Sequence, residues 1–231
     1  MENPKSAKEL ILETLKTKAC LKQKVFKSTI EIFQSFKDEA KSLIEDLKAE
    51  MNTVDKAVVI DFIDKGNYEF HIKFGGDILV FFMHTNVFEF DKSHNMWNTS
   101  YIKEDELRAF CGMINVYNFL ADSFKYNRIN DVGYLVARLF LNKDLHYFVE
   151  GKRQLGFLYN DFVNETISNE KIRKIIESSI LYSMDFDLLT PHYDSVKVVS
   201  VNDIIETTNA MNIKTGKRLG FKFQADNDNI I

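Results

Sequence analysis

Residues 5 to 51 contain neither glycine nor proline and are dense in lysine, glutamate and leucine. Apolar side chains recur at Leu10, Ile11, Leu15, Ala19, Phe26, Ile30, Phe33, Phe36, Ala40, Leu43, Ile44, Leu47 and Met51. Steps of three and four are those of a helix with one apolar stripe. A straight helix of that length would span about 65–70 Å, more than a domain of this size can cover. The segment is therefore expected either to bend near Ser28-Thr29 or to lay part of its stripe against another subunit. From Phe33 to Leu47 the pattern is heptad-like, with Phe33, Ala40 and Leu47 at one position and Phe36 and Leu43 at the other. A homo-oligomer, or a partner protein met through residues 5–51, follows as an expectation.

Beyond Asn52-Thr53 the period shortens to two. Ala57 to Asp64, Tyr68 to Phe74, Ile78 to Met83 and Val87 to Phe90 read as strands of an antiparallel meander, turning at Lys65-Gly66-Asn67 and Gly75-Gly76-Asp77. Residues 103–124 are apolar on most sides, which reads as a helix buried on two sides. A hairpin (Tyr134 to Leu141, Leu145 to Glu150), a strand near Leu155 to Tyr159 and a helix from Asn169 to Met184 follow. The strand Val196 to Val201 comes next, then a short helix capped by Ser200 with Asp203, and a strand from Leu219 to Phe223. The expected fold is α+β: an antiparallel sheet of about six to eight strands, the buried helix near 103–124 and a long N-terminal amphipathic helix. Three regions are expected: a helical segment over 1–52, an α+β domain over 53–225 and a frayed tail over 226–231. Twenty phenylalanines in 231 residues supply apolar area for a sizeable core.

A formal net charge of −4 supplies no global basic field, so nucleic acid is not an expected partner. No run is long and apolar enough for a membrane span, and no signal-peptide pattern opens the chain. Cys20 and Cys111 make neither a disulfide framework nor a zinc site, which fits the cytoplasm.

The most distinctive local feature is a near-repeat. Gly151-Lys152-Arg153-Gln154-Leu155-Gly156-Phe157 resembles Gly216-Lys217-Arg218-Leu219-Gly220-Phe221, and the two hold four of the nine glycines. Each reads as a tight turn with two cations at its tip and a strand after it. Lys152, Arg153, Lys217 and Arg218 are thus candidates for holding an anionic ligand or partner.

A different chemistry is suggested by Asp131, Glu150 and Lys152. An acid before a hairpin and an acid-x-Lys on its second strand is the layout of metal-dependent nucleases of the PD-(D/E)xK kind, in which two carboxylates hold a divalent cation. Other acid-x-Lys triplets, at Glu39/Lys41 and Asp46/Lys48, show how ordinary that spacing is. His84 and His94 flank Glu89 and Asp91 without a compact metal-ligand spacing. Nucleophile motifs and the dinucleotide glycine fingerprint are absent, and no cofactor is called for. The leading expectation is a non-enzymatic binding or adaptor protein that self-associates through its N-terminal helix. The alternatives are a metal-dependent nuclease or phosphodiesterase and a structural subunit of a larger assembly.

Overall fold

The computed structural model describes residues 5–152, 154–185, 188–205 and 222–223. The chain opens on Ser6, whose hydroxyl caps Glu9 while the Glu9 carboxylate returns to the Ser6 amide, closing a capping box. Helix α1 (Ala7–Thr14) passes through a π-helical turn (Leu15–Ala19) into α2 (Cys20–Val54). The helix ends where Asp55 turns extended and its carboxylate accepts the Ala57 amide. Along α2 the buried residues Leu21, Val25, Thr29, Phe33, Phe36, Ala40, Leu43 and Ile44 step by threes and fours, so one face is inside.

That face lies on a seven-stranded antiparallel sheet. β1 (Ile60–Asp64), β2 (Glu69–Phe74) and β3 (Asp77–Met83) form the expected meander, turning at Gly66 and Gly75 with φ of 104° and 56°. The chain then leaves the sheet, adds the two-residue β4 (Phe88–Glu89) and returns as β5 (Phe110–Leu120) between β3 and β6 (Tyr134–Asn142). β7 (Tyr147–Gly151) completes the order β1-β2-β3-β5-β6-β7, with β4 beside the start of β5.

The expected helix over 103–124 is corrected by this arrangement. Its central part is β5, the strand in the middle of the sheet, with α3 (Ser100–Glu104) and a 3-10 turn before it and α4 (Ala121–Lys125) after it. A central strand covered on both faces is apolar without alternation, and periodicity alone cannot tell it from a buried helix. Gly112 and the β-formers Ile114, Val116, Tyr117 and Phe119 carried the strand signal. The acids Glu104 to Glu106 serve short turns: Thr99 caps α3, and Asp105 accepts the Leu107 amide at a 3-10 turn (Glu106–Ala109).

The strand expected near Leu155 to Tyr159 is also corrected, because Gln154–Leu158 is a helical turn, α5. Gly156 packs so closely on Gly151 that a Cβ there would overlap the Gly151 carbonyl. The paired glycines therefore make a strand-to-helix corner, where a hairpin tip was expected. Helix α6 (Asn169–Met184), capped by Ser168, falls where the sequence places it. Val196 to Val201 does not form the expected strand. Tyr193–Val196 is a helical turn, α7, residues 201–205 are helical behind the Ser200–Asp203 capping box, and Val198 is 85% exposed. β-propensity acts through packing on neighbouring strands, which this segment lacks. Of the expected strand Leu219 to Phe223, the described part is β9 (Lys222–Phe223), paired with β8 (Leu188–Leu189). The 226–231 tail lies outside the described residues.

α2 and α6 cover the same face of the sheet. Phe33 meets Phe70 at 5.4 Å between ring centroids, Phe36 meets Phe81 at 6.2 Å, and Phe70 stacks on Phe81 at 4.5 Å. Ile172, Ile175, Ile176 and Ile180 of α6 join the same core. The helix can come this close because residue 112 is glycine: a Cβ there would overlap Thr29 Oγ1. Lys37, almost fully buried, donates to Asp64 (2.7 Å) and to the Gly66 carbonyl (2.6 Å), which ties α2 to the β1–β2 turn. The Lys37 ammonium holds the Asp64 carboxyl below its ordinary range. The N-terminal helix from Leu21 onward thus shares one core with the sheet.

Candidate functional site

Among the described residues, the opposite face of the sheet is covered at its two ends. At one end, Met96, Tyr101, Ile102 and Phe162 pack over Phe140 and Phe148. Asn142 secures that cover: its amide donates to Tyr101 Oη (3.0 Å), and its carbonyl accepts the Asp144 and His146 amides (2.9 and 3.0 Å). At the other end Phe124 of α4 lies edge-on to His71 (4.9 Å) and Phe119 (5.4 Å).

Between these ends the strand register places five side chains in one row. Glu69 pairs with Phe82, Phe82 with Asn115, Asn115 with Arg138 and Arg138 with Glu150. Residues paired across antiparallel strands point to the same face. The row runs carboxylate, ring, amide, guanidinium, carboxylate across the sheet. Arg138 donates to one Glu150 oxygen, Oε2, through both Nε (2.9 Å) and Nη2. At the other end the Glu69 carboxylate meets His71 Nε2 at 2.6 Å. Burial drives the His71 pKa below its ordinary value, and Glu69 opposes that shift.

Beside Glu150 the row opens into a cleft of about 480 Å³, lined in part by His94, Met96, Phe148, Gly151, Asp161 and Phe162. His94 Nδ1 accepts the Met96 amide (3.3 Å), leaving Nε2 as the protonated nitrogen, 3.9 Å from the Glu150 carboxylate. Asp161 is occupied by the Asn164 side chain (3.0 and 3.1 Å). Aromatic floor and polar rim are the ingredients of a small-molecule site.

The residues singled out in the sequence fall as follows. Lys152 is exposed at the β7 corner, next to the cleft. Arg153, Lys217 and Arg218 lie outside the described residues, so the two Gly-Lys-Arg segments cannot be placed relative to one another. Asp131 and Glu150 engage different arginines. Asp131 accepts from Ser123 Oγ (2.6 Å) and Arg128 Nη1 (3.3 Å) near α4, while Glu150 is held by Arg138 on β6. Among the described residues no three histidine, cysteine or acidic side chains form a group that could hold a metal ion. His84 Nδ1 accepts the Asn86 amide, and its ring packs edge-on to Phe88. His146 stacks on Tyr101 at 4.6 Å. No helix of the described residues is long and apolar enough to cross a membrane.

Sequence reasoning did not single out Arg138, Asn115 or Arg128, and it weighed His94 only beside His84, Glu89 and Asp91. Asn115 carried a usable signal, since an amide inside an apolar run marks a side chain that faces away from the core. Arg138 and Glu150 become neighbours only through the β6–β7 register, once the hairpin is fixed by its turn.

None of the residues of α1 and the π-helical turn is buried. Leu10, Ile11 and Leu15 are 50%, 60% and 52% exposed. The stripe is thus covered from Leu21 to Ile44 and bare before Leu21, with Leu47 37% exposed beyond it. No protein-family model matches this chain, and no curated protein and no solved structure matches it either.

Proposed function

We propose that the protein is a non-enzymatic binding protein that self-associates through the first turns of its N-terminal helix, Ala7 to Ala19. The expectation drawn from residues 5–51 narrows to this arm, since the heptad-like positions Phe33, Phe36, Ala40 and Leu43 are already buried in the protomer's own core. One observation carries the reading: the helix continues past its own domain with Leu10, Ile11, Leu12 and Leu15 uncovered. An isolated helix of this length is marginal in water, and leaving that many large apolar groups wet forgoes the burial that favours folding.

The occupant that fits is a second copy of the same arm. Laid antiparallel about Leu12–Glu13, two arms bring Leu10 level with Leu15, with Ile11 between them on the shared face. Apolar contacts then lie at the centre of the seam. A contact this short is a small interface, so the association is expected to be weak and concentration-dependent. The cleft beside Glu150 lies outside the arm, where such a dimer leaves it open to a further ligand.

Sedimentation equilibrium of the full chain and of the Leu10→Ser/Leu15→Ser variant tests this reading. The full chain is expected to gain mass with concentration, and the variant to stay at protomer mass with an unchanged melting curve. A full chain that stays monomeric at every concentration, or a variant that associates equally well, contradicts it.

A further inference from the structure

Among the described residues, the buried side-chain nitrogen and oxygen atoms that lack a hydrogen-bond partner belong to Asn118 and Arg128. The Arg128 side chain is 1% exposed, and its free donors are Nε and Nη2. Those two nitrogens form the side-on edge of the guanidinium, the fork that takes both oxygens of a carboxylate. Arg138 shows the same edge engaged, both nitrogens meeting a single Glu150 oxygen. In Arg128 only Nη1 is hydrogen-bonded, to Asp131, with Asp122 at ion-pair distance from Nη2. A buried cation with an empty bidentate edge is costly unless something completes it.

Next to Arg128 lies a cavity of about 200 Å³, bounded by Phe119, Ser123, Phe124, Asn127 and Asp131. We propose that this cavity binds a small organic carboxylate, with its two oxygens on the Nε–Nη2 edge of Arg128 and its apolar body against Phe119 and Phe124. The size and the two rings favour a compact, partly apolar acid. The charges favour a monoanion. Asp131 already takes one arginine nitrogen, and the half-exposed Asp122 carboxylate stands 4.0 Å from Nη2. A phosphate dianion would meet both acids, whereas a planar monocarboxylate replaces Asp122 at the rim. Lys125, which shares the Tyr126 ring with Arg128, supplies a second cation nearby. A free small acid and the C-terminal carboxylate of a peptide offer the same group, and the test separates them.

The full chain would be titrated, by nuclear magnetic resonance or calorimetry, with phenylacetate, phenylacetamide, an acetylated tripeptide ending in phenylalanine and the amide of that tripeptide. Saturable binding of an acid but not of its amide is the expected result. Saturation by phenylacetate identifies the free acid as sufficient, and saturation by the tripeptide acid alone identifies a chain terminus. Arg128→Gln is expected to weaken binding about 10- to 100-fold, as loss of a charged bidentate contact should. Because that variant could fail to fold, Asp122→Asn provides a second reading at an exposed position, where relief of repulsion should tighten binding. The site is rejected if no acid binds, if acid and amide bind alike, or if Asp122→Asn leaves the affinity unchanged.

Discussion

One helix runs from Ala7 to Val54, and its two lengths live in opposite surroundings. From Leu21 to Ile44 the apolar stripe is buried against the sheet and α6, with Gly112 admitting Thr29 at closest approach. From Ala7 to Ala19 none of the described residues touches it closely enough to bury a single side chain. The residue types and spacing hardly change between the two lengths. Amphipathic period states that a helix has a face to cover, and only the fold states what covers it. The same hydrophobic effect that fixes α2 inside the protomer is unspent on the arm, which is why the two lengths should answer differently to mutation.

The largest effect is expected inside the covered length. Phe33→Ala opens a cavity beneath Phe70 and should cost about 3–5 kcal/mol of stability by chemical denaturation, with the associated mass unaffected in what remains folded. A loss below about 1 kcal/mol would mean that α2 is held far more loosely than its burial implies. Next comes Gly112→Ala, which forces the helix and β5 apart at Thr29 and should cost about 3 kcal/mol. The paired change Gly112→Ala with Thr29→Gly removes every Thr29 atom that the added Cβ would overlap and should recover part of that loss, which a purely conformational role for the glycine would not allow.

A gain is expected from Asn118→Leu. The Asn118 amide is buried without a partner on β5, and an apolar group of similar size should stabilise the protein by about 1–2 kcal/mol. An unchanged or lower midpoint would show that the amide is satisfied in solution.

The pH response is smaller. His71 is kept neutral in the folded protein because burial lowers its pKa, whereas the unfolded chain takes up a proton near the ordinary value of 6.5. Its contribution is therefore complete above about pH 6.5 and declines as the pH falls toward the depressed folded value. Thermal melts between pH 7.5 and 5.5 should show a downward drift worth about 1 kcal/mol or less, flattened in His71→Gln. The smallest change of all is expected in the arm, where Leu10→Ser/Leu15→Ser should move stability by no more than about 0.5 kcal/mol while removing association.

Particular residues show how far the sequence could be read. α6 was legible nearly to the residue because Ser168 caps it and its isoleucines keep strict helical spacing. β2 was legible because one face is wet and alternation survives: Glu69 and Lys73 face away from the core that takes Phe70, Ile72 and Phe74. β5 was misread because burial on both faces erases the alternation that distinguishes strand from helix. The glycines of the Gly151 segment were read as a tight turn leading into a strand, whereas their contact with one another, which no spacing reveals, turns the chain into α5. Asp131 and Glu150 illustrate the limit for the site. Spacing along the chain put them in one constellation, and the fold gives each its own arginine.

Hydrogen exchange measured along the chain at increasing protein concentration addresses the helix most directly. Amides of residues 21–44 should be strongly protected at every concentration, and those of residues 7–19 should exchange quickly when dilute and slow as the protein is concentrated. Arm amides whose exchange does not respond to concentration, in either the fast or the slow regime, would contradict the assignment of that bare length to a second copy.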